Sequence, residues 1–152
     1  MTVFQLVDDF HVKFGLDAVY PEEPMFQTIK PLHVKRLKFL VEETHETCEA
    51  GGLIMDITMR PDVDADPDFP KFVDGLLDTI YVAAGTLLLS GLSPDQCQQL
   101  FEEVQRANMS KERSKGDDDA RSVRGSQFDV VKPEGFVPPD IEGLLRSFGW
   151  QG

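Results

Sequence analysis

Between Phe69 and Ser90 the chain is almost continuously apolar for the length of a helix, yet it places Asp74 and Asp78 one turn apart inside that run. Phe72, Val73, Leu76, Leu77, Ile80, Val82, Ala83, Leu87 and Leu88 cover nearly the whole circumference of the helix they form. A helix apolar on all sides reads as a central, buried one, which calls for helical neighbours around it. A carboxylate in such surroundings is costly unless it is paired or metal-bound. No Lys or Arg between Asp74 and Leu92 offers a local partner. The alternative is an Asp74 in the first turn and an Asp78 that leans out to solvent.

Three further segments carry helical periodicity. The first runs from about Thr2 to Phe14, with Val3, Leu6, Val7, Phe10 and Phe14 on one stripe, and Gly15 ends it. The next runs from about Leu32 to Ala50, with Val34, Leu37, Leu40, Val41, Thr44 and Cys48 spaced three or four apart, and stops at Gly51-Gly52. The last opens on Ser93 as N-cap, Pro94 at the first helical position and Gln96 completing a capping box, and extends to about Lys111. Residues 55–70 read as an acidic, proline-containing connection. Residues Glu112 to Arg124 read as a charged, mobile loop, Phe128 to Val131 as a short strand, and Pro138-Pro139-Asp140 as the start of a final turn or two from Ile141 to Phe148. The expected fold is all-α, a four-helix bundle-like single domain over 1–152, with a helical core of about 2–111 and a C-terminal arm of about 112–152.

The length of 152 residues suits one domain with a core of its own. A net charge of −12 repels phosphate backbones, so a nucleic-acid duplex is excluded as a partner. Cys48 and Cys97 make no CxxC pair and read as reduced thiols. The segment beginning Met1-Thr2-Val3 has no basic or apolar signal-type block, and the run Ile80 to Leu89 is too short to span a bilayer. These features point to a cytoplasmic protein without a membrane partner.

The second helix carries Glu42-Glu43-Thr44-His45-Glu46 and, one turn on, Glu49. At about 100° per residue, Glu42, Glu46 and Glu49 fall within an arc of roughly 60°, with Glu43 beside Glu46. Taken alone, this is either a solvated acidic face or half of a cation site. Together with Asp74 and Asp78 on a facing helix it makes an oxygen-rich cage, suited to a hard cation such as Mg²⁺ that shares its shell with a substrate's phosphates. Zinc would require His or Cys in number. At the end of the fourth helix, Arg106, Asn108 and Lys111 supply groups for a polyanion, although basic residues also suit a helix C-terminus for its dipole alone.

The order Glu42-Glu43-x-x-Glu46, then Asp74-Gly75-Leu76-Leu77-Asp78-Thr79-Ile80-Tyr81-Val82, resembles the ExxE…ExxD signature of the MazG-like and phosphoribosyl-ATP pyrophosphohydrolase-like all-α nucleotide pyrophosphatases. Gly85, Gly91-Leu92-Ser93, the run Phe101 to Lys111, Lys132-Pro133-Glu134-Gly135-Phe136 and Pro138-Pro139-Asp140 continue it, over roughly residues 2–145. The resemblance implies cleavage of a nucleoside triphosphate, or a related nucleotide such as phosphoribosyl-ATP, between its α- and β-phosphates. It implies Mg²⁺, with Mn²⁺ as a substitute, held by Glu42, Glu43, Glu46 and Asp78. Glu43 or Glu46 would position or deprotonate water. Asn108 and Lys111, with Arg106 and Tyr81, would hold substrate. Where the family pattern places Glu, this chain has Gly75, so either Asp74 substitutes from an adjacent angle or Glu49 completes the cage. So apolar a third helix in so thin a bundle points to a homodimer or a dimer of dimers.

Two rival readings use the same residues. Glu42-x-x-His45 and Asp8-x-x-His11 have the acid–His spacing of a carboxylate-bridged di-iron bundle, but that fold wants one more Glu on each remaining helix and the third offers only Asp. A non-catalytic helical interaction domain would leave all these acids at the surface, and it gives no reason for Asp78. An EF-hand loop at Asp62, Asp64, Asp66 and Asp68 is rejected, because Pro67 and Val73 occupy the positions of its Gly and its bidentate Glu.

Overall fold

The computed structural model describes residues 1–22, 25, 30–59, 66, 68–115, 119–122 and 129–152, the side chains at 30, 31 and 33 excepted. The fold is all-α. Its helices are α1 (Val3–Phe14), α2 (Lys30–Ala50), α3 (Phe69–Leu89), α4 (Pro94–Met109) and α5 (Ile141–Ser147), with a 3-10 turn at Asp17–Val19 and a two-residue ladder of β1 (Glu112–Arg113) and β2 (Val130–Val131). The chain divides into two compact units, Met1–Val19 with Thr79–Gly152, and Tyr20–Asp78.

In the first unit, α1 and α4 form the packed pair, and both helices are closed by their own sequence. Thr2 accepts the Gln5 N–H at 3.3 Å while Gln5 accepts the Thr2 N–H at 2.8 Å, and Ser93 and Gln96 repeat that reciprocal box on α4. Such a box satisfies two of the orphan donors at a helix start and stabilises it by about 1 kcal/mol. Gly15 ends α1 in the left-handed region at φ 65°. The buried apolar side chains are Leu6 and Phe14 of α1, Leu100 and Ala107 of α4, and Val131. Gln105 fastens the pair by donating to the Leu6 carbonyl at 2.7 Å, and Lys13 donates to the Met109 carbonyl.

The segment after α4 departs from the expected loop. Glu112 and Arg113 pair antiparallel with Val131 and Val130, because Arg113 is drawn in by the Phe14 carbonyl, to which its Nη1 donates at 2.6 Å. Ser114 and Asp129 close the ladder, both buried, with the Ser114 N–H donating to the Asp129 carbonyl at 3.0 Å. The strand expected from Phe128 is Val130–Val131, and Phe128 itself lies outside the described residues. The arm ends in α5, capped by Asp140, whose Oδ1 accepts the Gly143 N–H at 2.9 Å.

In the second unit, α2 ends at Gly51-Gly52, where Gly52 takes φ 74° and the Leu53 N–H donates back to the Cys48 carbonyl at 2.8 Å. This turn sends residues 53–59 back beside the C-terminal half of the helix. Of the acidic connection, residues 60–65 and 67 lie outside the described residues, and the expectations for Asp62 and Asp64 with them.

The largest correction concerns α3. It was expected to be the buried centre of the bundle, yet it has no buried residue within the chain: Leu77 is 52% exposed, Val82 65% and Leu89 91%. The physical reason is that the closely packed helix pairs among the described residues are α1 with α4 and α4 with α5, and α3 belongs to neither. The run Ile80–Leu89 is short, but α3 has 21 residues and contains an 18-residue window with a mean hydropathy of 1.5, long and apolar enough by length and composition alone to cross a bilayer. Asp74 and Asp78 inside it would be expensive there.

Candidate active site

The acidic face of α2 is set by its helical period. Lys38, Glu42, His45, Glu46 and Glu49 share one helical stripe and, with Val41, line one wall of an open groove of about 500 Å³. The opposite wall is the returning segment, through Met55, Asp56 and Ile57. It is anchored where the Met55 sulfur meets Cys48 Sγ at 3.9 Å. Thr44 and Thr47 turn their hydroxyls back onto the Leu40 and Glu43 carbonyls, at 2.6 and 2.8 Å, and so leave this face to the acids.

Of the four acids expected on the second helix, Glu42, Glu46 and Glu49 therefore share one wall, while Glu43 is exposed and lies outside the groove lining. Sequence reasoning missed Lys38 and Asp56 as neighbours of these acids, while His45 was named with Glu42 for its acid–His spacing. Lys38 was legible from the same stripe. Asp56 was not, since only the Gly51-Gly52 turn brings it back. His45 Nδ1 lies 3.6 Å from Glu49 Oε2, one turn along the helix.

Asp74 and Asp78 are both exposed on α3. Among the described residues, no group of three or more His, Cys, Asp or Glu side chains is close enough to hold a metal ion. The cage expected between the second and third helices is thus not assembled within the single chain as described. The donor set itself consists of carboxylate oxygens, which fits a hard divalent cation.

The remaining candidates belong to the other unit. Tyr81 is 81% exposed on α3. Asn108 is half-buried in the last turn of α4, which ends at Met109 and not at Lys111, and its carbonyl accepts the Lys111 N–H at 3.1 Å. Arg106 commits its fork to structure. Its Nε and Nη2 reach the two oxygens of Glu103 at 2.8 and 2.7 Å, and Nη2 also donates to the Pro138 carbonyl at 3.2 Å. The Asp140 N–H donates to the same Glu103 at 2.9 Å. The Arg106 hydrogen bond, followed by that backbone N–H, holds the Glu103 carboxyl down at about 2. Glu103 was not singled out by the sequence; its i,i+3 spacing to Arg106 was the available signal.

A family model described as phosphoribosyl-ATP pyrophosphohydrolase matches residues 7–108, about two thirds of the chain. The matched stretch includes the acids of α2, both aspartates of α3 and Asn108, and it stops short of Lys111 and the arm. No curated protein and no solved structure matches significantly.

Proposed function

This chain belongs to the phosphoribosyl-ATP pyrophosphohydrolase family, pyrophosphate-bond hydrolases acting on nucleotides, and on that footing we propose that it is a Mg²⁺-dependent hydrolase of a (deoxy)nucleoside triphosphate or a related nucleotide such as phosphoribosyl-ATP. Water adds to the α-phosphorus, the P–O bond bridging the α- and β-phosphates breaks, and the products are the monophosphate and pyrophosphate. The observation that supports this reading most is the groove along α2, in which Glu42 and Glu46 stand on one wall within the matched stretch.

Glu42, Glu43, Glu46 and Asp78 are the residues that would hold the cation, with Asp74 or Glu49 in place of the carboxylate that Gly75 lacks. When bound, Mg²⁺ offsets the charge that develops on the phosphates and acidifies a water, with Mn²⁺ as a substitute. Glu43 or Glu46 orients the attacking water and takes its proton. Asn108 and Lys111 donate to phosphate oxygens, and Tyr81 offers a hydroxyl to the substrate. Arg106 contributes at one remove, by holding Glu103 and the arm.

The working form is proposed to be a homodimer or a dimer of dimers. A contiguous apolar surface as large as that of α3 marks a protein contact, and a second copy covering it would provide the missing layer around Asp74 and Asp78. In this reading the protein is cytoplasmic, where free Cys48 and Cys97 stay reduced, and its charge keeps it off nucleic-acid duplexes.

The test is pyrophosphate release from a panel of dNTPs, NTPs and phosphoribosyl-ATP, with Mg²⁺ and with chelator. Release from at least one substrate, abolished by chelator and restored by Mg²⁺, is expected. Release of orthophosphate only, or turnover indifferent to chelator, refutes the reading.

A further inference from the structure

The groove along α2 has different chemistry at its two ends. Lys38 lies at one end, a turn before Glu42, and Met55 at the other, held against Cys48. At 1.5 Å per residue, roughly 15 Å of helix axis separates Lys38 from Cys48. Among the described residues that line the groove, Lys38 is the one Lys or Arg, set among carboxylates. A nucleotide has the same asymmetry, a polyanionic chain at one end and a flat, largely apolar base at the other.

Building on the hydrolase reading above, we propose that the groove binds its nucleotide in one direction, with Lys38 on the terminal phosphates that leave as pyrophosphate and with Met55 and Ile57 against the base. A polyphosphate entering a row of carboxylates is repelled wherever no cation intervenes. Glu42 and Glu46 would hold a cation for the phosphates beside them, and those farther along the groove need a cation of their own. The Lys ammonium, a compact point charge, supplies it. The reverse orientation sets the phosphates against Glu49 and Met55, neither of which donates a hydrogen bond from its side chain, and leaves the base beside an ammonium.

The experiment is calorimetric titration of the full-length protein with inorganic pyrophosphate in the presence of Mg²⁺, alongside kcat and KM for the nucleotide panel. Lys38→Ala weakens pyrophosphate binding and raises KM by about tenfold or more, with helicity unchanged by circular dichroism, and Lys38→Arg recovers most of the loss. Met55→Ala leaves pyrophosphate binding within about twofold but changes the ratio of KM values among bases. Lys115→Ala, which removes the same charge from outside the groove, changes neither. Pyrophosphate binding that is absent from the wild type, equal in wild type and Lys38→Ala, or weakened as much by Met55→Ala overturns the proposal. A wild type that binds pyrophosphate in this Lys38-dependent way yet hydrolyses no nucleotide refutes the hydrolase reading and leaves the direction of the groove standing.

Discussion

Arg106 grips Glu103 with two parallel N–H donors, at 2.8 and 2.7 Å, and the pair together receives the arm through the Pro138 carbonyl and the Asp140 N–H. Fork-on-fork geometry of this kind is directional as well as charged, so the pair fixes where the arm leaves the end of α4. The pH dependence has a definite sign. The Glu103 carboxyl is lowered from an ordinary 4.5 to about 2, so its contribution to stability is complete above about 4.5 and fades as pH falls toward 2. Glu103→Gln should therefore lower the melting temperature at neutral pH, and its difference from wild type should shrink between pH 4.5 and 2. A constant gap across that range contradicts the clamp.

If the arm depends on this clamp, Arg106→Ala should speed amide exchange in residues 138–148 while α1 stays protected. Hydrogen exchange read by mass spectrometry checks this. Equal protection in both proteins shows that the arm is held by other contacts.

Gly15 makes a second, independent stability prediction. It occupies φ 65°, and a Cβ added there would come within 2.7 Å of Arg113 Nη1, the group that donates to Phe14. Gly15→Ala combines backbone strain with loss of that contact and should cost about 1–3 kcal/mol. Thermal unfolding measures it, and a variant as stable as wild type refutes the assignment.

The oligomer proposal yields a mass. Light scattering should give at least twice the 17.1 kDa of one chain. A charge placed on the exposed face of α3, as in Leu77→Asp, should drive the mass toward the monomer and reduce activity with it. A wild-type mass of one chain removes the proposed interface.

The helices were legible because their signals are local. The capping box at Ser93 and Gln96, the glycine stops at 15 and 51–52 and the three-to-four spacing of apolar residues all act within a turn or two of chain, and each helix stands within about a turn of where they place it. The acidic stripe on α2 was legible for the same reason. What eluded the sequence depends on distant partners. Glu112–Arg113 becomes a strand because of Phe14 and Val131, far away in the chain. Asp56 enters the groove because a glycine turn folds it back. The apolar run of α3 announced that it must be covered, and not by what; among the described residues none of its side chains is buried.

In the proposed reading, carboxylates on α2 and α3 serve one divalent cation. Titration of Mn²⁺ into wild type, Glu46→Gln and Asp78→Asn, followed by calorimetry or by the loss of the free-ion EPR signal, tests it most directly. Either substitution should weaken the same site by about 100-fold or more, with helicity intact. Binding in Asp78→Asn equal to wild type, alongside loss in Glu46→Gln, would mean that the two helices do not share an ion.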